Sequence, residues 1–384
     1  MVEKNNIKTQ CPLISERKII KEKCYPSIIS FFSIEIMKYD KKDFILIGHK
    51  FQKFEIYDSN NLDLIISNSQ NINDKINNIG QLTHETFAVI SSSHIFIFFF
   101  YSEYDDFSKK EMYKIQLIQS IKSFPTKNIF NYINFKKAFI LNKNLFKDFY
   151  SNDTEEKFSK EKNYDINELV VSSDRGIIIY EKKVEDDEEL KNSDINAYID
   201  KCIENQYIYK RPLTHSKNYD IVQINYKLIA GTTYRGLNLY SMKKYELITR
   251  FEVEISKNCD NIIYMVNEDI LCLGGNSTIT LLSIKSFEIV FKYSILNNFY
   301  ITEICILSDY NILVAMHGNK NNMEYFYQYK YRNKMNESTN KKDSKLEEVS
   351  YKLVTEKDSN VTMKCLSDNR LISIINYNKI QIWK

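Results

Sequence analysis

The residues able to do chemistry in this chain are few and scattered. Five histidines stand at positions 49, 84, 94, 215 and 317. None neighbours a nucleophile motif, and none has the His/Glu or Cys/His spacing of a metal site. The seven cysteines include no Cys-x-x-Cys pair, and Cys272 and Cys305 lie inside apolar runs, where cysteine acts as a small hydrophobe. With only 8 glycines there is no G-x-x-x-x-G-K-S/T phosphate loop. The expectation is a non-enzymatic protein with no cofactor and no metal. What remains is a set of cationic and aromatic residues at turn-like sequences: His49, Lys50, Arg175, Tyr234, Arg235, His317 and Lys320. Arginine offers bidentate pairing to carboxylate or phosphate, so this set suits an acidic or phosphorylated protein or peptide partner. The competing reading is of ordinary polar turns whose arginines pair with nearby Asp or Glu.

All seven residues fall at one point of a recurring pattern, and that pattern has to position them. An apolar strand runs into a small or polar turn, then into an alternating strand closed by an aromatic or large apolar residue. The copies run from Phe44 to Asp58, Phe87 to Phe100, Leu169 to Tyr180, Leu228 to Tyr240, Ile270 to Leu282, Ile312 to Tyr329 and Leu371 to Trp383. Centred on Leu46, Val89, Val171, Ile229, Cys272, Val314 and Ile372, they are separated by 43, 82, 58, 43, 42 and 58 residues. Three of these intervals match the period of about 40–45 residues of a four-stranded propeller blade, and the others are that period plus an insertion. Two further short strands lie between copies, such as Tyr245 to Phe251 followed by Asp260 to Val266. Four strands per period without an intervening helical pattern exclude a parallel βαβ sheet.

Here the chain resembles the WD-repeat family. Tyr57-Asp58 and Trp383 stand where that family's Trp-Asp dipeptide closes the third strand, and Tyr180, Tyr240, Leu282 and Tyr329 fill the same slot elsewhere. Gly48-His49 is the one surviving Gly-His pair, and it sits at the strand turn rather than at the family's usual place. The resemblance implies an all-β, seven-bladed β-propeller of four-stranded antiparallel blades, and a scaffold that binds a partner on one face. Two alternative functions follow from the same resemblance. One is a phosphoinositide-binding propeller, for which Tyr234-Arg235-Gly236 and Asp174-Arg175-Gly176 lack the doubled arginine. The other is a structural subunit of a large complex.

The last copy ends at Trp383-Lys384, so its blade needs a fourth strand from elsewhere. Leu13 to Ile20 is the expected donor, pairing outside Lys379 to Lys384, with Glu16, Arg17 and Lys18 lapped by solvent. A single propeller over residues 13–384 follows, with residues 1–12 as a tail. Insertions are read at 102–110, 136–165, 181–205 and 332–347, all on one face. In the second of these, Ala138, Leu141, Leu145 and Phe149 follow helical spacing, although Lys136 to Tyr150 is also the one candidate for an eighth blade.

Composition closes off other classes. A net charge of +3 gives no overall case for nucleic acid, and Tyr and Phe fall mostly in strand slots. The opening MVEKNNIKTQ is polar, and the longest apolar run, Ile95 to Tyr101, is far short of the ~20 residues of a membrane-crossing helix. Unpaired cysteines fit a reducing compartment, so a cytoplasmic monomer within a hetero-complex is expected. The sequons at Asn152, Asn276, Asn336 and Asn360 are expected by chance in so Asn-rich a chain. Glycine scarcity means that the turns are to be sought in Asn, Asp and Ser.

Overall fold

The computed structural model describes residues 13–384 except 26–30, 51–52, 69–71, 73, 107–108, 124–134, 142–167, 183–205, 215–219, 226, 256–262, 268, 296–298, 308–310, 319–322, 337–340 and 356–360. Strand β1 (Ile19–Cys24) comes first and belongs to the last blade. Blade 1 is β2 (Phe31–Tyr39), β3 (Lys42–His49), β4 (Phe54–Asp58) and β5 (Leu64–Asn68). Blade 2 is β6 (Ile76–Gln81), β7 (Thr86–Ser91), β8 (His94–Asp105) and β9 (Lys110–Lys122). Blade 3 is β10 (Phe135–Ile140), β11 (Glu168–Ser173), β12 (Gly176–Lys182) and β13 (Tyr207–Thr214). Blade 4 is β14 (Ile221–Asn225), β15 (Leu228–Thr233), β16 (Gly236–Ser241) and β17 (Glu246–Phe251). Blade 5 is β18 (Ile263–Met265), β19 (Ile270–Gly274), β20 (Thr278–Ser283) and β21 (Glu288–Ser294). Blade 6 is β22 (Phe299–Ile306), β23 (Asn311–Gly318), β24 (Met323–Asn336) and β25 (Lys341–Thr355). Blade 7 is β26 (Val361–Cys365), β27 (Leu371–Ile375) and β28 (Lys379–Trp383), completed by β1.

Every sheet is antiparallel and four-stranded, so the chain is a seven-bladed β-propeller. Alternation along each strand sends apolar side chains to both faces of a blade, and both must be covered by neighbours. The described residues form seven cores, each shared by two adjacent blades. The last of them joins blades 7 and 1 through Ile372, Ile380 and Ile382 against Ile34, Ile45 and Tyr57, which makes the ring continuous. Loops after the second and fourth strands emerge on one face, here the front, and loops after the first and third emerge on the back.

One backbone feature recurs that composition bias had hidden. In blades 1 and 3 to 6 the fourth strand bulges opposite the residue that closes the third-strand copy, and in blade 2 it bulges opposite Phe98, two residues before Phe100. Tyr57 pairs with Leu64 while Ile56 pairs with Ile66, and Tyr240 pairs with Leu247 while Leu239 pairs with Thr249. The closing strand repeats it: Trp383 pairs with Ile19 and Ile382 with Lys21. A bulge twists an exposed edge away from further pairing, so each blade blunts its outer strand in the same way. The displaced residue is Ile20, Ile65, Ile118, Ile248 or Val290 in five blades, and Lys210 in blade 3.

The N-terminal closure forms six residues later in the chain than the sequence reading placed it. Leu13–Arg17 is a turn, not a strand, because its backbone is claimed by blade 6. Ile14 N–H donates to Gln328 Oε1 at 2.7 Å and Ser15 N–H to Ser350 Oγ at 2.9 Å. Ile14 is fully buried beside Phe326 and Trp383. Arg17 is not lapped by solvent: it is 1% exposed, with Nη1 donating to Asn369 O at 2.6 Å.

Three insertions also change character. Residues 102–105 and 110 continue β8 and β9, and residues 332–336 and 341–347 continue β24 and β25, so both are prolonged hairpins on the back face. Lys136 to Ile140 is no insertion but most of β10, the innermost strand of blade 3, with Ala138 opposite Val171. Helical spacing misled there because a short apolar run fits either period. Leu145, Phe149 and residues 183–205 lie outside the described residues.

Among the described residues asparagine does not replace glycine at most left-handed positions. Of nine non-glycine residues with positive φ among the described residues, two are Asn, whereas Leu62 (φ 60), Tyr245 (φ 55) and Phe287 (φ 55) are bulky. These three close the back-face turn before the fourth strand in blades 1, 4 and 5. For two of them a side-chain contact explains the conformation. Leu62 is buried in the core between blades 7 and 1. The Tyr245 hydroxyl donates to Glu168 Oε1 of blade 3 and accepts from Lys210 Nζ at 3.0 Å.

Candidate functional site

Blades 3 and 4 carry the same front-face turn, Ser173-Asp174-Arg175-Gly176 and Thr233-Tyr234-Arg235-Gly236. In each, the first hydroxyl does two jobs. Ser173 Oγ accepts from Arg175 N–H at 3.1 Å and donates to Gly176 O at 2.9 Å. Thr233 Oγ1 accepts from Arg235 N–H and donates to Gly236 O, both at 3.3 Å. The glycines sit at φ 139 and φ 123, where an L side chain is strained. At Gly236 a Cβ would also meet Phe251 O at 2.1 Å. The two turns are therefore held in one geometry and present Arg175 and Arg235 at equivalent points of adjacent blades.

Both arginines are exposed. Among the described residues neither has a carboxylate within ion-pair distance. Arg235 Cζ lies 5.1 Å from the centre of the Tyr234 ring, and Tyr234 itself is 57% exposed. A stacked guanidinium keeps its donor edge open, since the ring engages only its face.

Pairing within blade 4 adds groups that the sequence did not reveal. Arg250 on β17 stands opposite Asn238 on β16, and its Nε donates to Asn238 Oδ1 at 3.0 Å. Asn238 in turn donates from Nδ2 to the Tyr240 hydroxyl at 2.9 Å, so a buried chain fixes the base of Arg250. Tyr234, Arg235, Arg250, Glu252 and Val253 line one open depression at the front rim. The signal for Arg250 was its place near the end of the strand Tyr245 to Phe251. Using that signal required the cross-strand register, including the bulge.

The remaining candidates divide. Lys50 is exposed on the front face, and Lys320 lies outside the described residues. His49 and His317 are corrections, because both are taken up by glutamates of the neighbouring third strand. His49 is 4% exposed, with Nε2 3.0 Å from Glu55 Oε2. His317 Nδ1 is 3.0 Å from Glu324 Oε1, and its ring tilts against Tyr300 with centroids 5.0 Å apart. Burial raises the Glu55 carboxyl, but His49, Lys53 and Tyr57 outweigh it and hold the group down to about 2. Burial pushes Glu324 up to about 8 against the single opposing effect of the Thr302 hydroxyl.

The inner strands carry a separate polar set. Lys364 of blade 7 lies 3.5 Å from Glu35 of blade 1 and 3.4 Å from the Tyr264 hydroxyl of blade 5. Lys137 of blade 3 is 2.7 Å from the fully buried Asp220 that opens blade 4. Burial works against the Lys364 charge, and Glu35 and Tyr264 more than offset it, keeping the ammonium well above its ordinary range. The two ion pairs join adjacent blades, and the Lys364–Tyr264 contact joins blades 7 and 5. Among the described residues no group of three His, Cys, Asp or Glu could hold a metal, and no helix is long and apolar enough to cross a membrane. Compared with known protein families and with curated proteins, the sequence matches none.

Proposed function

We propose that this chain is a non-enzymatic, WD-repeat-type interaction scaffold whose front face, at blades 3 and 4, takes an acidic segment of a partner protein. The observation that carries this reading is the repeated turn. Two exposed arginines are fixed alike, and no acid among the described residues lies within ion-pair distance of either. A rigid sheet framework bearing short, stiff turns is how propellers and other β scaffolds build recognition surfaces. Buried thiols fit the same picture of an intracellular protein: burial pushes Cys272 up to about 12, which suppresses its thiolate and hence its reactivity.

Affinity capture from lysate, run in parallel with wild type and with Arg175→Glu/Arg235→Glu, tests the reading. Both side chains are exposed, so the variant keeps its fold. The expected result is a set of partners captured by wild type and absent from the variant. An identical set with both proteins would overturn the front-face assignment.

A further inference from the structure

Resting on that reading of blades 3 and 4, we infer that the surface binds a segment phosphorylated at two positions, one phosphate at the Arg235–Arg250 depression and the other at Arg175. Three observations converge on this chemistry. The depression brings two guanidinium groups to one place, Arg235 and Arg250, against the single carboxylate of Glu252. A carboxylate ligand carries one charge, whereas a phosphate carries about −1.5 to −2 near neutral pH and offers three acceptor oxygens, enough to engage both forks. Glu252 repels a second anion at the same point and leaves an acceptor for backbone N–H groups of an extended segment.

The second observation is that Arg175 stands one blade away on a copy of the same turn. A second anionic group on the same segment meets a donor held in the same geometry, as the matching hydroxyl bonds of Ser173 and Thr233 require. Each contact alone is weak, but two contacts on one segment bind through effective concentration, with a marked optimum in spacing. The third observation is that these positions carry arginine, not lysine, in a chain rich in lysine. A planar fork matches a phosphate edge where an ammonium offers only a point charge.

Fluorescence anisotropy with the full chain tests the inference, using flexible Gly/Ala peptides that carry no phosphoserine, one, or two at a series of separations. At one separation the doubly phosphorylated peptide should bind roughly tenfold or more tighter than the singly phosphorylated one. Arg175→Ala should remove that advantage, returning the doubly phosphorylated peptide to single-site affinity. Arg235→Lys should weaken both peptides although the charge is kept, because the fork is lost. Equal affinity for one and two phosphates at every separation would overturn the clamp. So would equal binding of Asp-substituted peptides, or preference for vesicles carrying a phosphoinositide over any peptide. If these peptide results fail while the Arg→Glu variant still loses its captured partners, the clamp falls and the front-face reading stands. If capture is also unchanged, both fall.

Discussion

Blades 1 and 6 each bury a glutamate 3.0 Å from a histidine, yet the two acids are driven in opposite directions. Glu324 faces His317 directly across the β23–β24 ladder, whereas Glu55 lies opposite Ile47, diagonal to His49. The larger difference is in donors. Glu55 also takes Lys53 Nζ at 2.6 Å on its other oxygen and the hydroxyl of Tyr57, itself backed by Tyr25 at 2.5 Å. Glu324 has Thr302 as its further donor, at 3.4 Å. Desolvation alone raises a carboxyl, and only enough donors to the charged form reverse that. The lesson is that repeat position fixes burial, whereas the count of donors fixes charge.

The comparison is broken most forcefully by making both acids neutral. Glu55→Gln should destabilise the protein by about 3 kcal/mol at pH 7, since Lys53 and His49 lose a charged acceptor in a buried site. The sign follows from a folded pKa of about 2 below the ordinary 4.5. The stabilisation is fully present above 4.5 and is lost as pH falls through 2, so wild type and variant converge in acid. Glu324→Gln should have the opposite sign. Its folded pKa of about 8 lies above 4.5, so the acid costs nothing below 4.5 and its burden grows as pH rises through 8. The variant should match wild type at pH 4 and exceed it by about 2–3 kcal/mol at pH 8. Urea denaturation of both variants across pH 3–8 checks the pair, and loss of stability in Glu324→Gln at pH 8 would reject the account.

The same logic applies to the residue that closes the third strand, at an intermediate size. Tyr57 and Tyr240 each have a polar partner two residues earlier, Glu55 and Asn238. Tyr180 has Ile178 there, and among the described residues its buried hydroxyl has no hydrogen-bond partner. Blade 5 shows the reverse: Leu282 closes the strand, and the buried Thr280 hydroxyl two residues earlier is left over. Tyr57→Phe should therefore cost about 1–2 kcal/mol, while Tyr180→Phe should be neutral or stabilising by up to about 1 kcal/mol. Thermal denaturation of the two variants separates them, and equal losses would show that the hydroxyls are not what differs.

How much of this was legible depends on whether a feature is written in one strand or in the register between strands. All seven second–third strand copies were readable, because Phe44 to Asp58 or Leu228 to Tyr240 alternates around a turn without help from elsewhere. Strand β10 was not, since Phe135 to Ile140 is too short for its period to be unambiguous, and its partner Glu168–Ser173 lies across a long insertion. His49 and His317 looked exposed because each follows an apolar run into a turn, and nothing local says that Glu55 or Glu324 will cap them. Arg250 was invisible as a site residue for the same reason: only the ladder opposite Asn238 brings it to Arg235.

Left-handed positions give the smallest and sharpest version of the contrast. Tyr245 and Phe287 hold the same φ of 55 at the same turn of adjacent blades. An L residue in that region costs about 1–2 kcal/mol, and glycine removes the cost while loosening the unfolded chain by somewhat less. Phe287 is 42% exposed, so Phe287→Gly should raise stability by up to about 1 kcal/mol. Tyr245 differs because its hydroxyl joins the Glu168–Lys210 pair of blade 3, where Lys210 occupies the bulge that other blades fill with Ile or Val. Tyr245→Gly relieves the same strain but strips that inter-blade contact, and should lower stability. Opposite signs in paired urea titrations would establish that the strain at Tyr245 is held in place by the neighbouring blade. A gain at both positions would mean that the contact to Glu168 contributes less than the backbone conformation it accompanies.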